Sequence, residues 1–381
     1  LKGREIERES RPNGNLVLLI DTSGSMKQPN KLPLLKRGMR LLLDQLNASD
    51  RIAIVTYAGS AGLVLDSTPA DDFDRIMQGL NQLQAGGSTN GGQGLQLAYQ
   101  VARDHFIPGG TNRVLLCTDG DFNVGMTGTD QMVRLVEEQS KDGIDLTVLG
   151  FGMGNLNDAM LEQISGRGNG NYAFIDTYNE AKKVLVEQLA GTLVTIAKDV
   201  KIQIEFNPKK VAAYRLIGYE NRVLANEDFN DDKKDAGEIG AGHSVTALYE
   251  LIPAGSSQQN SVAQTDELKY QTSRALSSAA RSDELLTVKL RYKLPHQTES
   301  DLIEQVVFDN DKVFEQADQE FQFAAAVAGF GMLLRDSEYR GEWDFETVRK
   351  TAEASVGSDP HGFREEFLEL VAVARDLKRS P

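Results

Sequence analysis

The chain is poor in cysteine, in histidine, in positive charge and in long apolar runs, and each shortage removes a class of function. Cys117 is the only cysteine, so no intrachain disulfide can form and cysteine usage leaves the redox compartment open. It ends the apolar run Val114 to Cys117 and reads as a small buried hydrophobe rather than a reactive thiol. His105, His243, His296 and His361 are scattered, with neither metal-ligand spacing nor a paired nucleophile, and packing or surface roles suit them best. No run of about 18 apolar residues occurs, so no membrane span is expected in this chain. A Walker-type phosphate loop is also missing, which argues against nucleotide hydrolysis. Leu1 to Arg11 shows neither a signal-peptide core nor an initiator Met, so Leu1 reads as a boundary within a longer protein and leaves the compartment unknown.

Lys and Arg number 41 against 56 Asp and Glu, a formal charge of −15. Phosphates would be repelled, so no nucleic-acid partner is expected, and metal cations or basic partners are favoured. What is present is the composition of a soluble globular protein, 40% hydrophobic and 25% charged, and nothing in it calls for disorder. A length of 381 residues suggests two or three domains.

From Asn15 to about Asp199, short apolar runs alternate with longer segments of helical period, the pattern of βα units wound into a mostly parallel sheet. Leu16 to Ile20, Ile52 to Tyr57, Val114 to Cys117 and Ile144 to Leu149 read as strands buried on both faces. Leu63 to Leu65 reads as a short antiparallel edge. Leu32 to Leu46, Phe73 to Leu83, Gly94 to Phe106, Asp130 to Lys141 and Asp158 to Ile164 read as amphipathic helices, and a last helix is expected over Asn179 to Ala197.

The period then drops to two in Val200 to Phe206, and Val211 to Ile217, Ser244 to Ile252 and Leu285 to Tyr292 continue an antiparallel, sandwich-like β domain. The insertions Asn226 to Gly240 and Ala254 to Ser282 are polar and read as mobile surface loops. Asp318 to Arg335, Asp344 to Ser355 and Phe363 to Leu377 read as helices. The expected division is an N-terminal segment 1–12 offering a candidate strand to the β domain, an α/β domain 13–198, a β domain 199–295 and a helical region 296–381.

Asp21 closes the first buried strand, at the sheet edge where open α/β sheets bind ligands. Asp21, Ser23 and Ser25 offer a carboxylate and two hydroxyls at alternate positions, and Gly24 allows the backbone to bend between them. Thr89, in the Gly-rich turn Gly86 to Gly92, and Asp119, directly after the third long strand, add two more oxygens on loops that can border the first. An oxygen-only set suits a hard cation: Mg²⁺ first, with Mn²⁺ or Ca²⁺ as alternatives. Taken singly, each motif also fits an ordinary helix cap or turn.

Together these residues closely resemble the metal-ion-dependent adhesion site (MIDAS) of the von Willebrand factor type A (VWA) domain, DxSxS followed by a distant Thr and then an Asp. Asp21, Ser23, Ser25, Thr89 and Asp119 match it in full. The resemblance implies a Rossmann-like α/β fold with a central six-stranded sheet, a divalent cation, and a protein partner whose Asp or Glu completes the metal shell, with Asp119 often reaching the metal through water. The segment Asp235 to Glu250 and the C-terminal helices resemble a bacterial subfamily with a C-terminal domain of unknown function, similar in layout to inter-α-trypsin inhibitor heavy chains. That subfamily's usual export signal favours an extracytoplasmic protein, periplasmic or surface-anchored, while the likeness in layout speaks to architecture and not to activity. The MIDAS resemblance is what implies an interaction module rather than an enzyme. A scaffold or adaptor, for an ATPase for example, with a dispensable metal site is the alternative.

Enzyme readings fare worse on the residues themselves. Ile20 to Ser23 superficially resembles the aspartic-protease motif but has no second copy and precedes a helix. Gly150, Gly152 and Gly154 form an incomplete dinucleotide fingerprint, better read as a turn. The acidic stretch Glu227 to Glu238 contains Lys233 and Lys234 and lacks the EF-hand pattern, so it reads as a solvated loop.

Overall fold

The computed structural model describes all residues except 8–9, 89–90, 121–128, 154–155, 189–193, 220–222, 235, 258–275 and 380–381. The chain forms two compact units: Leu1–Lys201 with Glu227–Val245 and Leu290–Leu302, and Ile202–Asn226 with Thr246–Lys289 and Ile303–Pro381.

The first unit contains β1 (Gly14–Asp21), β2 (Arg51–Tyr57), β3 (Ala61–Pro69), β4 (Thr111–Thr118), β5 (Ile144–Phe151) and β6 (Tyr172–Ile175). They form a six-stranded sheet in the order β3-β2-β1-β4-β5-β6. Every neighbouring pair is parallel except β2 with β3. All eight residues of β1 are buried, because helices cover both faces.

The helices are α1 (Leu32–Leu43), α2 (Phe73–Gln82), α3 (Gly91–Asp104), α4 (Thr129–Lys141), α5 (Asp158–Arg167) and α6 (Tyr178–Lys182). Strand alternation sends Leu16, Leu18 and Ile20 to one core with Leu35, Met39 and Leu42 of α1 and Ile76 and Leu80 of α2. Val17 and Leu19 pack on the other face with Leu95 and Ala98 of α3 and Leu161 and Ile164 of α5. Each such side chain contributes about 1.5–3 kcal/mol by leaving water, so the strand ends that carry the site are firmly seated.

β1 lies between β2 and β4, which are reached by connections running in opposite directions along the sheet. The crevice at the carboxyl ends of β1 and β4 is therefore the topological switch point of the sheet.

Several elements differ from what periodicity suggests. The helix expected over Asn179 to Ala197 is short: α6 continues as a π-helical stretch, Lys183–Gln188, and a strand begins at Thr195. That strand is β7 (Thr195–Phe206), whose β-branched Thr195, Ile196, Val200, Ile202 and Ile204 favour extended backbone. β6 is a four-residue strand without a run long enough to stand out. β8 (Val211–Ile217) is where expected, whereas the strand read from Ser244 is confined to β10 (Leu248–Pro253). Residues 301–308, within the region read as helical, form β12 (Asp301–Phe308), next to β11 (Glu284–Lys293) in a second sheet of order β12-β11-β7-β9, where β9 is Gly237–Gly240. β8 and β10 pair antiparallel as a separate ladder.

Lys2 forms an antiparallel bridge with Ser244, and the Gly3 amide donates to the His243 carbonyl at 2.7 Å. The Asn226 to Gly240 insertion, expected as a mobile solvated loop, is instead bound down. The buried ammonium of Lys201 donates to the Asp228 and Asp231 carbonyls, and that of Lys293 to the Asp232 carbonyl and to Asp199 Oδ2 at 2.7 Å. The loop expected over Ala254 to Ser282 falls largely outside the described residues.

In the second unit, α7 (Gln319–Leu334), α8 (Phe345–Ala354) and α9 (Phe363–Arg379) each match an expected helix. Leu333, Val348 and Val371 form their core with Phe330, Trp343 and Phe367, and Phe330 meets Phe367 edge-on at 5.3 Å.

Candidate metal centre

Asp21 ends β1 and is 0% exposed. Its Oδ1 accepts the Ser23 amide at 2.7 Å, an Asx turn that folds the chain back as it leaves the sheet. Thr118 Oγ1 lies 3.5 Å from Oδ2, and the Tyr57 phenol approaches from β2. Burial pushes the Asp21 carboxyl up to about 6, with the hydrogen bonds from Ser23 opposing the shift and the charge of Asp119 adding to it. Among the described residues no basic side chain reaches Asp21.

Ser23 leads into a 3-10 turn, Gly24–Lys27, without a side-chain capping bond, and Met26 of that turn is buried. The Ser23 and Ser25 hydroxyls lie 2.9 Å apart at the start of this turn, so the two oxygens converge beside Asp21. The Gly-rich turn docks on the same loop. The Gly24 amide donates to the Gly87 carbonyl at 3.2 Å, and the Gly86 amide to the Thr22 carbonyl at 2.8 Å. Gly87 has φ +91°, a conformation only glycine takes without strain. Thr89 itself lies outside the described residues, two positions beyond this docked turn.

Asp119 follows β4 and is 2% exposed. Ile20 stands in register with Cys117, so Asp119 comes up beside the Asp21 loop, close enough for the two carboxylates to repel each other. Asp119 Oδ2 accepts from Lys31 Nζ at 2.8 Å. The structure thus gathers Asp21, Ser23, Ser25 and Asp119 at one sheet edge, a donor set of carboxylates and hydroxyls that fits a hard cation. Among the described residues no three His, Cys, Asp or Glu side chains cluster as metal ligands.

Two neighbours of the site escape a reading of the sequence. Tyr57 looks like core, and only strand register puts it beside Asp21. Lys31 carries a signal that can be read: it is a cation at the N-cap of α1, where Ser, Thr, Asp or Asn is favoured and the helix dipole repels positive charge.

Other candidates settle into structural roles. Cys117 is fully buried, and burial raises its thiol well above the ordinary range. His105 pairs with Asp66 at 3.0 Å. Gly150 lies within β5 and Gly152 directly follows it, bordering Lys31, while Gly154 lies outside the described residues. No helix among the described residues is long and apolar enough to cross a membrane.

The family model for the von Willebrand factor type A domain matches residues 15–188, and that for "Uncharacterized protein YfbK, C-terminal" matches residues 191–377. The chain is 44% identical over 371 residues to uncharacterized protein YfbK of Escherichia coli K12, covering 97% of this chain and 63% of that protein. It therefore spans less than two thirds of that relative's length. Among solved structures it is similar to a von Willebrand factor type A protein from Catenulispora acidiphila (17% identity, TM-score 0.49, 94% of this chain and 82% of that one). It is also similar to proximal thread matrix protein 1 of the mussel byssus, solved with a zinc-occupied MIDAS motif (22% identity, TM-score 0.38, 47% and 46%). Residues 15–188 are a von Willebrand factor type A domain, and the chain belongs with bacterial proteins that join this domain to a YfbK-type C-terminal region.

Proposed function

We propose that residues 13–198 form a divalent-metal-dependent protein-binding module. Asp21, Ser23, Ser25, Thr89 and Asp119 supply the protein oxygens, and an Asp or Glu of a partner completes the shell. One observation carries this reading: a fully buried carboxylate, Asp21, meets no basic side chain among the described residues and lies beside two converging hydroxyls. Burying a carboxylate without a counter-charge is costly, and a cation at this edge removes the cost.

When bound, a hard divalent ion supplies an electrophilic position for an incoming carboxylate. Mg²⁺ is the first choice, with Mn²⁺ or Ca²⁺ as alternatives, because the donors are all oxygens and zinc prefers nitrogen and sulfur. The Ser23 amide fixes the Asp21 carboxylate, and the Gly24 to Gly87 hydrogen bond fixes the distance between the two loops. No reaction is assigned to the site. An extracytoplasmic location, periplasmic or surface-anchored, rests on the family likeness.

The alternative is a scaffold or adaptor whose metal site is dispensable. It is favoured by the Lys31 to Asp119 pair, in which the protein already supplies one cation. Affinity capture from the native organism, in Mg²⁺ or Mn²⁺ against EDTA with Asp119→Ala as control, separates the two. A partner retained only with metal and only by the unmutated chain is expected; the same set of captured proteins in every lane overturns the metal bridge.

A further inference from the structure

Lys31 sits where local energetics disfavour it. It begins α1 without making a capping hydrogen bond, at the positive end of the helix dipole, and its side chain is 5% exposed. A residue that breaks local rules at a candidate site is expected to be there for the site. Its ammonium reaches Asp119 Oδ2 at 2.8 Å, and its stem runs over Gly152 at the end of β5. A Cβ at position 152 would stand 2.6 Å from Lys31 Cγ and Cε, and Gly152 has φ +77°, so both space and backbone exclude a side chain there. The start of α1 and the end of β5 are thus shaped to deliver one positive charge to one carboxylate of the metal centre.

We infer that Lys31 is a built-in counter-charge that holds divalent-metal affinity down and makes tight metal binding depend on a carboxylate from the partner. This deepens the proposed function and rests on it. Asp21 and Asp119 bring two negative charges and Lys31 cancels one. A divalent ion then leaves a net positive charge, which an acidic side chain neutralises. Without Lys31 the two aspartates alone would neutralise the ion, and a third carboxylate would add little. The coupling is reciprocal: metal raises affinity for the carboxylate by the same factor that the carboxylate raises affinity for metal. Lys31 acts through Asp119.

The test is calorimetric titration of the full chain with Mn²⁺, with and without acetate as the carboxylate probe, for the unmutated protein and for Lys31→Met, Lys31→Gln and Lys31→Arg. Removing the charge is expected to tighten Mn²⁺ binding by about tenfold or more, since like charges this close in a buried site repel strongly. Acetate is expected to tighten Mn²⁺ binding in the unmutated chain and in Lys31→Arg, and to do so less in the uncharged variants. Lys31→Gln keeps a donor for Asp119 and carries the test if Lys31→Met does not fold. Unchanged or weaker Mn²⁺ binding in the uncharged variants, with binding abolished by Asp21→Ala, overturns the inference alone. No Mn²⁺ binding by any of these chains overturns the metal centre and the inference with it.

Discussion

Asp21 and Tyr57 occupy the same rung of the parallel ladder between β1 and β2, and the wholly buried phenol lies against the Asp21 carboxylate. Nearness to Asp21 adds to burial in raising the Tyr57 hydroxyl well above its ordinary range, so it stays a neutral donor. The same burial lifts Asp21 to about 6 from 3.8.

Metal binding should therefore depend on pH. A cation needs the ionised carboxylate, so Mg²⁺ or Mn²⁺ affinity is expected to be level above pH 7 and to fall up to about tenfold per pH unit below pH 6. Isothermal titration between pH 5 and 8 reads this directly. Affinity that does not change across that range would contradict it.

Folding stability in EDTA should move the other way. The folded state holds the Asp21 proton more tightly than the unfolded chain does, so this contribution is full below about pH 4 and lost as pH rises through 6, a change of about 3 kcal/mol. Asp21→Asn, which cannot ionise, is expected to be more stable than the unmutated chain at pH 7.5 in EDTA and to lose that advantage at pH 4. Urea melts at both values check the sign.

Gly152→Ala meets two obstacles, a positive φ and the Lys31 stem. A loss of about 1–3 kcal/mol is expected. Part of it should vanish in a Lys31→Ala background, where the stem is gone, giving a coupling of about 0.5 kcal/mol or more in a double-mutant cycle. Additive losses would show that the clash is relieved some other way.

Arg113 is 1% exposed, donating to Asp145 at 3.1 Å and to Thr147 at 2.7 Å. Asp145→Ala leaves that guanidinium buried without its counter-charge and is expected to cost about 3–5 kcal/mol in chemical denaturation. Exchanging the pair together, Arg113→Met with Asp145→Leu, should cost less than the single change.

Cys117 is buried in β4 with its thiol held protonated. Thiol reagents are expected to leave the native chain untouched and to modify Cys117 once urea unfolds it. Rapid native labelling would show that β4 opens without global unfolding.

The core sheet was legible because strands buried on both faces concentrate Val, Ile and Leu, as in Leu16 to Ile20. Tyr172–Ile175 was not, since four residues, three partly buried and Ile175 buried, are too few to give a period to read. Thr195 was misread because a helical apolar spacing runs into it from Val184 and Leu185 with no break in the pattern. The acidic stretch at Glu227 looked solvated because the ammoniums that hold it come from Lys201 and Lys293, distant in the chain. Among the candidate site residues, strand ends gave away Asp21 and Asp119 and spacing gave away Ser23 and Ser25. Lys31 shows only as a cation out of place at the start of α1; its partner Asp119 lies 88 positions away, and only the fold brings the two together.

The way Lys201 holds that acidic segment has a consequence for harsh conditions. Its ammonium is gripped by the Asp228 and Asp231 carbonyls, and these oxygens accept no proton in mild acid, unlike the carboxylates beside them. The ammonium end of the clasp is buried, Lys201 being 3% exposed, so dissolved salt screens it less than it screens a surface charge. Acid or brine strong enough to release the exposed pair Lys234 to Asp228 should leave this fastening closed, so the loop's attachment is built to outlast its own surface charges.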